Sequence, residues 1–264
     1  MVKNWLFTGD THGKVAERLA YIKQCRPELD PAETAIIILG DVGLNYYLSK
    51  TDYKNKIKAS SFEYTIYCVH GNHEARPGES LSMKLINDEL VGGPVWIDEE
   101  FPLIRYFTTW GIYNICGHKT LVIGGAYSVD KHYRIQNGWR WFEDEQLADH
   151  ERAACLRSVK DQNFDLVLSH TCPYEWRPTD LFLCCIDQST VDNTMELWLD
   201  TVRNAIGYNR WFFGHYHGDR IERPGVEMFY TEVEDLNTIE ERWSRYEKTN
   251  ELDWWLPKSP NFYM

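Results

Sequence analysis

No stretch of the 264 residues is long and apolar enough to cross a bilayer, and the mean hydropathy of −0.49 agrees, so a membrane-spanning helix is excluded. Among the seven cysteines (Cys25, Cys68, Cys116, Cys155, Cys172, Cys184 and Cys185) there is no C-x-x-C pair, and the count is odd. That argues against a disulfide framework and a structural zinc cage, and for a reducing cytoplasm. Adjacent Cys184 and Cys185 are poorly placed to hold one ion together and are expected as core filler. Positive charge is scarce, with 28 Lys and Arg against 40 Asp and Glu and a net charge of −12. Long nucleic acid gripped by a basic groove is therefore not expected. Bound divalent ions would offset part of that charge locally, which leaves a small phosphate ester or nucleotide-like substrate compatible with it. Internal repeats and low-complexity linkers are also missing, so the chain is expected to bury one substantial core. A candidate ligand as early as residue 10 leaves no room for a removable signal peptide, and export by that route is not expected.

What the chain does have is five apolar runs that each end in a polar residue of metal-ligand type. They are Trp5–Gly9 before Asp10, Ile36–Gly40 before Asp41, Ile66–Gly71 before Asn72, Leu166–Ser169 before His170, and Trp211–Gly214 before His215. Short continuous runs of this kind fit strands buried on both faces. In such sheets ligands gather beyond the carboxyl ends of the strands. Gly9, Gly40, Gly71 and Gly214 would permit sharp turns and close approach there.

Between these runs, the spacing at Val15–Ile22 predicts a helix, so the chain opens β-α-β. Tyr47–Ser60 is a helix or a covering loop, and Ser80–Leu90 reads as a short helix after Pro77-Gly78. Val95–Ala126 reads as antiparallel hairpins. A loop carrying Tyr127, Asp130, Lys131, His132 and Arg134 follows and could cover a site. A charged helix is expected over about Glu143–Val159 and an amphipathic one over Asp192–Ala205. Trp139 and Trp141 are expected as core anchors rather than stacking platforms.

Asp10-x-His12 and His215-x-His217 would each point two side chains to one side of an extended segment. Carboxylate, imidazole and amide oxygen together suit Mn, Fe, Zn, Ni or Co. Seven candidate ligands exceed what one four-coordinate ion needs, and a pair of ions sharing Asp41 uses them all.

Gly9-Asp10-Thr11-His12-Gly13, Gly40-Asp41, Gly71-Asn72-His73-Glu74, His170 and Gly214-His215-Tyr216-His217 resemble, in order and spacing, the five signature blocks of the calcineurin-like metallophosphoesterases, over roughly residues 4–232. The resemblance implies an α/β fold, a four-layer αββα sandwich of two mixed sheets flanked by helices. It implies a domain over 1–232, with 233–264 a C-terminal helical extension or tail on or beside it. It also implies one metal held by Asp10, His12, Asp41 and His217, and a second held by Asp41, Asn72, His170 and His215. The implied reaction is hydrolysis of a phosphomonoester or phosphodiester by a metal-bridging hydroxide, with His73 as general acid. Glu74 is a candidate to orient His73 by adjacency.

One departure from the pattern lies just after the second block. There the chain runs Val42-Gly43-Leu44-Asn45, where related protein phosphatases carry a phosphate-gripping arginine. Arg76, Arg134 or Arg177 would have to substitute. Two alternatives are weighed against the esterase: a serine/threonine-type protein phosphatase, disfavoured by that missing arginine, and a non-catalytic protein-binding scaffold, disfavoured because all seven ligands and His73 are kept. His70, His118, His132 and His150 match no block.

Overall fold

The computed structural model describes residues 2–249. Its strands are β1 (Asn4–Thr8), β2 (Thr34–Ile38), β3 (Thr65–Cys68), β4 (Lys84–Asp88), β5 (Gly93–Ile97), β6 (Ile104–Phe107), β7 (Trp110–Ile115), β8 (His118–Ile123), β9 (Asn163–Ser169), β10 (Gly207–Phe213), β11 (Arg220–Arg223), β12 (Val226–Met228) and β13 (Val233–Asp235). The helices are α1 (Val15–Cys25), α2 (Lys50–Ser60), α3 (Lys131–Gln136), α4 (Asp149–Val159), α5 (Thr194–Ala205) and α6 (Leu236–Thr249). One sheet runs β13-β1-β2-β3-β6-β5-β4 and the other β11-β12-β10-β9-β8-β7. Both are mixed: β1, β2, β3 and β6 are parallel, as are β8, β9, β10 and β12, while the outermost strands are antiparallel.

The period-two alternation of side chains along the central strands builds the layers. Phe7, Ile37, Leu39 and Tyr67 of the first sheet meet Val122, Leu166, Leu168 and Phe212 of the second in one buried cluster. Their neighbours face outward: Leu6, Ile36, Ile38 and Ile66 pack with Val15, Leu19 and Ile22 of α1 and Ala59 of α2. On the far side Leu121, Val167, Trp211 and Phe213 pack with Cys155 and Val159 of α4 and Met195, Leu199 and Val202 of α5. Helices thus cover both outer faces, the four-layer αββα arrangement.

Several local expectations need correction. Residues 80–90 form not a helix but a single tight turn (Glu79–Leu81) followed by β4, which pairs antiparallel with β5 through Leu85↔Trp96 and Ile86↔Val95. Edge-strand pairing decides this segment, and its outward-facing positions are exposed rather than packed at helical spacing. The helix expected from Glu143 begins only at Asp149, where the side chain of Glu151 reaches back to the Ala148 N–H at 2.8 Å. Asp130 onward forms the short helix α3 rather than a loop. Trp139 is 54% exposed against Tyr133, and Trp141 lies beneath Lys131, so neither anchors the core. All seven cysteines are free, and Cys184 and Cys185 are exposed rather than core filler.

After residue 232 the chain adds β13 antiparallel to β1, then α6, whose Leu236, Ile239 and Trp243 recur at helical spacing and join the cluster between the sheets. Trp254–Pro257, expected in a helix or tail, lies outside the described residues. Among the described residues no helix is long and apolar enough to cross a membrane.

Candidate active site

The five apolar runs are β1, β2, β3, β9 and β10, three parallel strands in one sheet and two in the other. Their carboxyl ends converge, so residues from five distant segments meet where the two sheets adjoin. This convergence needs close backbone approach. At Gly40 (φ +97°) a Cβ would lie 2.0 Å from His170 Nδ1, and at Gly71 it would lie 2.1 Å from both the backbone N and Oδ1 of Asp41. No other residue fits those two positions.

The backbone carrying the ligands is not extended, as the D-x-H and H-x-H spacing predicts, but left-handed. Asp41 (φ +47°), His12 (+44°), His215 (+71°) and His217 (+53°) all sit in the region L-residues rarely adopt. Four such residues in one site are the kind of local strain that packing must hold in place. Tight turns at the strand ends, rather than strand alternation, therefore aim the imidazoles.

Two groups of lone-pair donors result. In the first, His12 Nε2 and His217 Nε2 are 2.9 Å apart, with Asp10 Oδ2 at 3.9 and 3.3 Å from them. In the second, His170 Nε2 lies 2.8 Å from Asn72 Oδ1 and 3.4 Å from Asp41 Oδ1. Asp41 spans both, since its Oδ2 lies 4.0 Å from His12 Nδ1. His215 joins from the side: its ring lies 5.0 Å from that of His170, and its N–H donates to Asp10 Oδ1 at 3.0 Å. All seven candidate ligands are thus brought together.

Surrounding contacts orient these donors. His170 Nδ1–H donates to the Leu39 carbonyl at 2.7 Å, which frees Nε2 toward Asn72 and Asp41. Asn72 Nδ2 donates to Ser128 Oγ at 2.9 Å, turning Oδ1 toward His170, and Ser128 in turn donates to buried Glu145. The ring of Tyr230 stacks on His217 at 4.7 Å.

The donor set fits divalent cations. Asp10 Oδ2 is buried without a hydrogen-bond donor, and two imidazole nitrogens face each other at hydrogen-bond distance. Acidic and imidazole atoms of Asp10, His12 and His217, and of Asp10, Asp41 and His170, cluster within 4.8 Å. Burial pushes His215 down to about 3, helped by His170, which keeps its imidazole neutral as a ligand must be. Burial likewise lowers His12. Burial would raise the Asp41 carboxyl, but His73, His170 and His12 outweigh it and hold Asp41 well below the usual range.

His73 stands beside the two groups. Its N–H donates to Asp41 Oδ1 at 2.8 Å, and its ring Nδ1 lies 3.6 Å from Asp41 Oδ2. Burial lowers the His73 imidazole, yet Asp41 and Asp130 more than offset this and the net displacement is upward. Besides Asp41, its carboxylate neighbour is Asp130, with Oδ1 3.7 Å from Nε2, and not adjacent Glu74. Glu74 is buried and turned away, accepting the N–H groups of Val42, Gly43 and Gly71 at 3.3, 3.2 and 3.4 Å. It braces the loops that carry Asp41 and Asn72.

The three arginines separate. Arg134 reaches His73, with Nη2 3.0 Å from Nδ1, and is fixed by Asp130 (2.7 Å) and Tyr46 (3.1 Å). Arg177 lines a cleft of about 350 Å³ together with Asp41, Asn72, His73, His215 and His217. Arg76 is elsewhere: it binds both carboxylate oxygens of Glu151 at 2.8 and 2.9 Å and the carbonyls of Asp144 and Gln146. Of the loop residues, Tyr127 and Asp130 line the cleft while His132 is exposed outside it. Ser128, Glu145 and Tyr230 were missed by sequence reasoning, and Asp130, placed on the covering loop, was not foreseen as the neighbour of His73. Only Asp130 left a signal, its i,i+4 spacing to Arg134.

The family model for calcineurin-like phosphoesterases matches residues 4–219. Among solved structures, TT1561 of Thermus thermophilus is 14% identical, with a TM-score of 0.46 over 89% of this chain and 98% of that one. The phosphopantetheinyl hydrolase PptH of Mycobacterium tuberculosis is 12% identical, with a TM-score of 0.43 over 99% of this chain and 98% of that one. No curated protein matches.

Proposed function

The chain belongs to the calcineurin-like phosphoesterase family, and from that premise we propose that it hydrolyses a small phosphomonoester or phosphodiester, with His73 giving a proton to the leaving oxygen. Asp10, His12, Asp41 and His217 would hold one divalent ion, and Asp41, Asn72, His170 and His215 a second. Mn, Fe, Zn, Ni and Co all suit this mixture of imidazole and carboxylate. When bound, two such ions lower the pKa of water and neutralise phosphoryl oxygens.

The observation that carries the reading is the position of His73, which lines the cleft beside the shared carboxylate of Asp41. An imidazole displaced upward, against its burial, by Asp41 and Asp130 holds a proton it can donate there, a contribution of roughly 10² to 10⁴ in rate. Asp130 Oδ1 lies 3.7 Å from His73 Nε2 and Arg134 Nη2 lies 3.0 Å from Nδ1, so a carboxylate and a guanidinium both border the proposed proton donor. Arg177, which lines the cleft, and Arg134, which borders His73, are the two candidates left for the part of the arginine missing after Asp41. Free, exposed thiols at Cys25, Cys116, Cys184 and Cys185 favour a reducing compartment such as the cytoplasm.

The test is hydrolysis of p-nitrophenyl phosphate and bis-p-nitrophenyl phosphate by chelator-stripped protein, with Mn²⁺, Ni²⁺, Zn²⁺ and Mg²⁺ restored in turn. Metal-restored turnover that is lost in Asp41→Asn together with bound metal is the expected result. Folded, metal-loaded protein that is silent on both esters would favour the scaffold reading instead.

A further inference from the structure

Between β9 and α5, the segment from Tyr174 to Asn193 forms one wall of the cleft opposite His73, and its composition is unlike the metal-facing side. Leu181, Phe182, Leu183, Ile186 and Val191 line the cleft, with Val129 joining from across the opening. Three of these are exposed although apolar: Leu181 (39%), Leu183 (59%) and Val129 (37%). Contiguous apolar side chains left in water around a concave site mark a surface that is covered when ligand binds.

The wall is anchored at both ends. Arg220 grips Asp180 with two parallel bonds of 2.7 and 2.9 Å. At the other end Arg177 binds Asn193 at 2.5 Å, and Asp192 caps Thr194 at the start of α5. The Arg177 guanidinium also stacks on the Tyr174 ring at 3.4 Å. A wall tied this way presents its apolar residues in a set position rather than as a collapsing loop. Apolar surface on it exceeds what a sugar or polyol phosphate, which needs many hydrogen-bonding partners, would use.

Resting on the phosphoesterase reading above, we infer that the substrate is a phosphate ester whose organic part is a compact apolar or aromatic group, seated against Leu181, Phe182, Leu183 and Ile186. Its phosphoryl group lies toward Asp41, Asn72 and His73. The cleft volume of about 350 Å³ limits that group to roughly the size of one or two rings.

The experiment holds the leaving group constant. Methyl p-nitrophenyl phosphate and phenyl p-nitrophenyl phosphate are compared as substrates of Mn²⁺-loaded protein. In parallel, methylphosphonate and phenylphosphonate binding is measured by calorimetry. The wild type is expected to prefer the phenyl compounds by roughly tenfold or more in kcat/KM and in affinity. Leu183→Asn and Ile186→Asn, both at positions that tolerate a polar side chain without core disruption, should bring the preference to within about twofold. Because both diesters carry a p-nitrophenyl ring, the phosphonates decide: a wild-type affinity ratio of phenylphosphonate to methylphosphonate near one, or a ratio kept in both variants, would overturn the inference. Absence of turnover on every ester would defeat the phosphoesterase reading alone, because the phosphonate arm still reads the wall.

Discussion

Replacing Glu74 separates two roles that adjacency to His73 confuses. The carboxylate is 1% exposed and accepts three backbone N–H groups, from Val42, Gly43 and Gly71, at 3.2 to 3.4 Å. Glu74→Ala leaves all three donors buried without an acceptor, and each orphaned donor costs about 1–3 kcal/mol. The bonds are long, so the lower end applies, and three of them with the small cavity amount to about 3–5 kcal/mol. Against a domain stability of about 5–15 kcal/mol that is a large fraction. Glu74→Gln keeps the oxygen facing Val42 and Gly71 but turns an amide NH₂ toward the Gly43 N–H, so a loss of about 1–2 kcal/mol is expected. Urea unfolding of metal-free protein reads both, with the midpoint falling and the slope unchanged. Metal affinity should fall in parallel, since the braced loops carry Asp41 and Asn72. A Glu74→Ala protein within about 1 kcal/mol of wild type would refute the bracing role. A Glu74→Gln protein of wild-type stability that fails only on poor leaving groups would make Glu74 the orienter of His73 after all.

The remaining predictions concern the ligands, the proton donor and two ion-pair networks. His73→Ala should retain metal, measured by elemental analysis, and lose turnover chiefly on esters with poor leaving groups, roughly 10²-fold or more; Asp130→Asn should show a weaker form of the same pattern. Gly40→Ala should express but bind little metal, because its Cβ would sit 2.0 Å from His170 Nδ1. Arg76→Ala should lower stability by about 1–3 kcal/mol through its lost bonds to Glu151, Asp144 and Gln146, with kcat/KM per folded molecule unaltered. Burial, together with Glu234, pushes the Glu227 carboxyl up to about 7 against the pull of Arg242. The folded state therefore keeps a proton that the unfolded chain has already released above its ordinary pKa of 4.5. Stability from this group is present below that value and is lost as pH rises toward about 7. Between about pH 5 and 8, wild type should lose on the order of 2 kcal/mol more than Glu227→Gln in urea melts, and parallel curves would contradict this.

Much of the molecule is determined locally by the sequence. Continuous apolar runs, four of the five closed by glycine, point to buried parallel strands, because a short β-branched run such as Ile36-Ile37-Ile38 suits a strand covered on both faces, and each run delivers a ligand-type residue to a carboxyl end. Helix α1 followed from spacing for the same reason, since an amphipathic stripe leaves a period that propensity alone does not. Where the periodic signal is weak, tertiary pairing decided instead: residues 84–88 became an edge strand because β5 offered them a partner. The left-handed turns at His12, Asp41, His215 and His217 were illegible for a related reason, as strain at a non-glycine residue depends on the packing that holds it and not on the residue. Long-range partners were equally hidden. Asp130 rather than Glu74 faces His73, Arg134 enters the site while Arg76 is consumed by Glu151, and the apolar wall from Leu181 to Ile186 turns toward the ligands. These depend on which loops two packed sheets bring to the same edge, a property of the folded layers that no local pattern encodes.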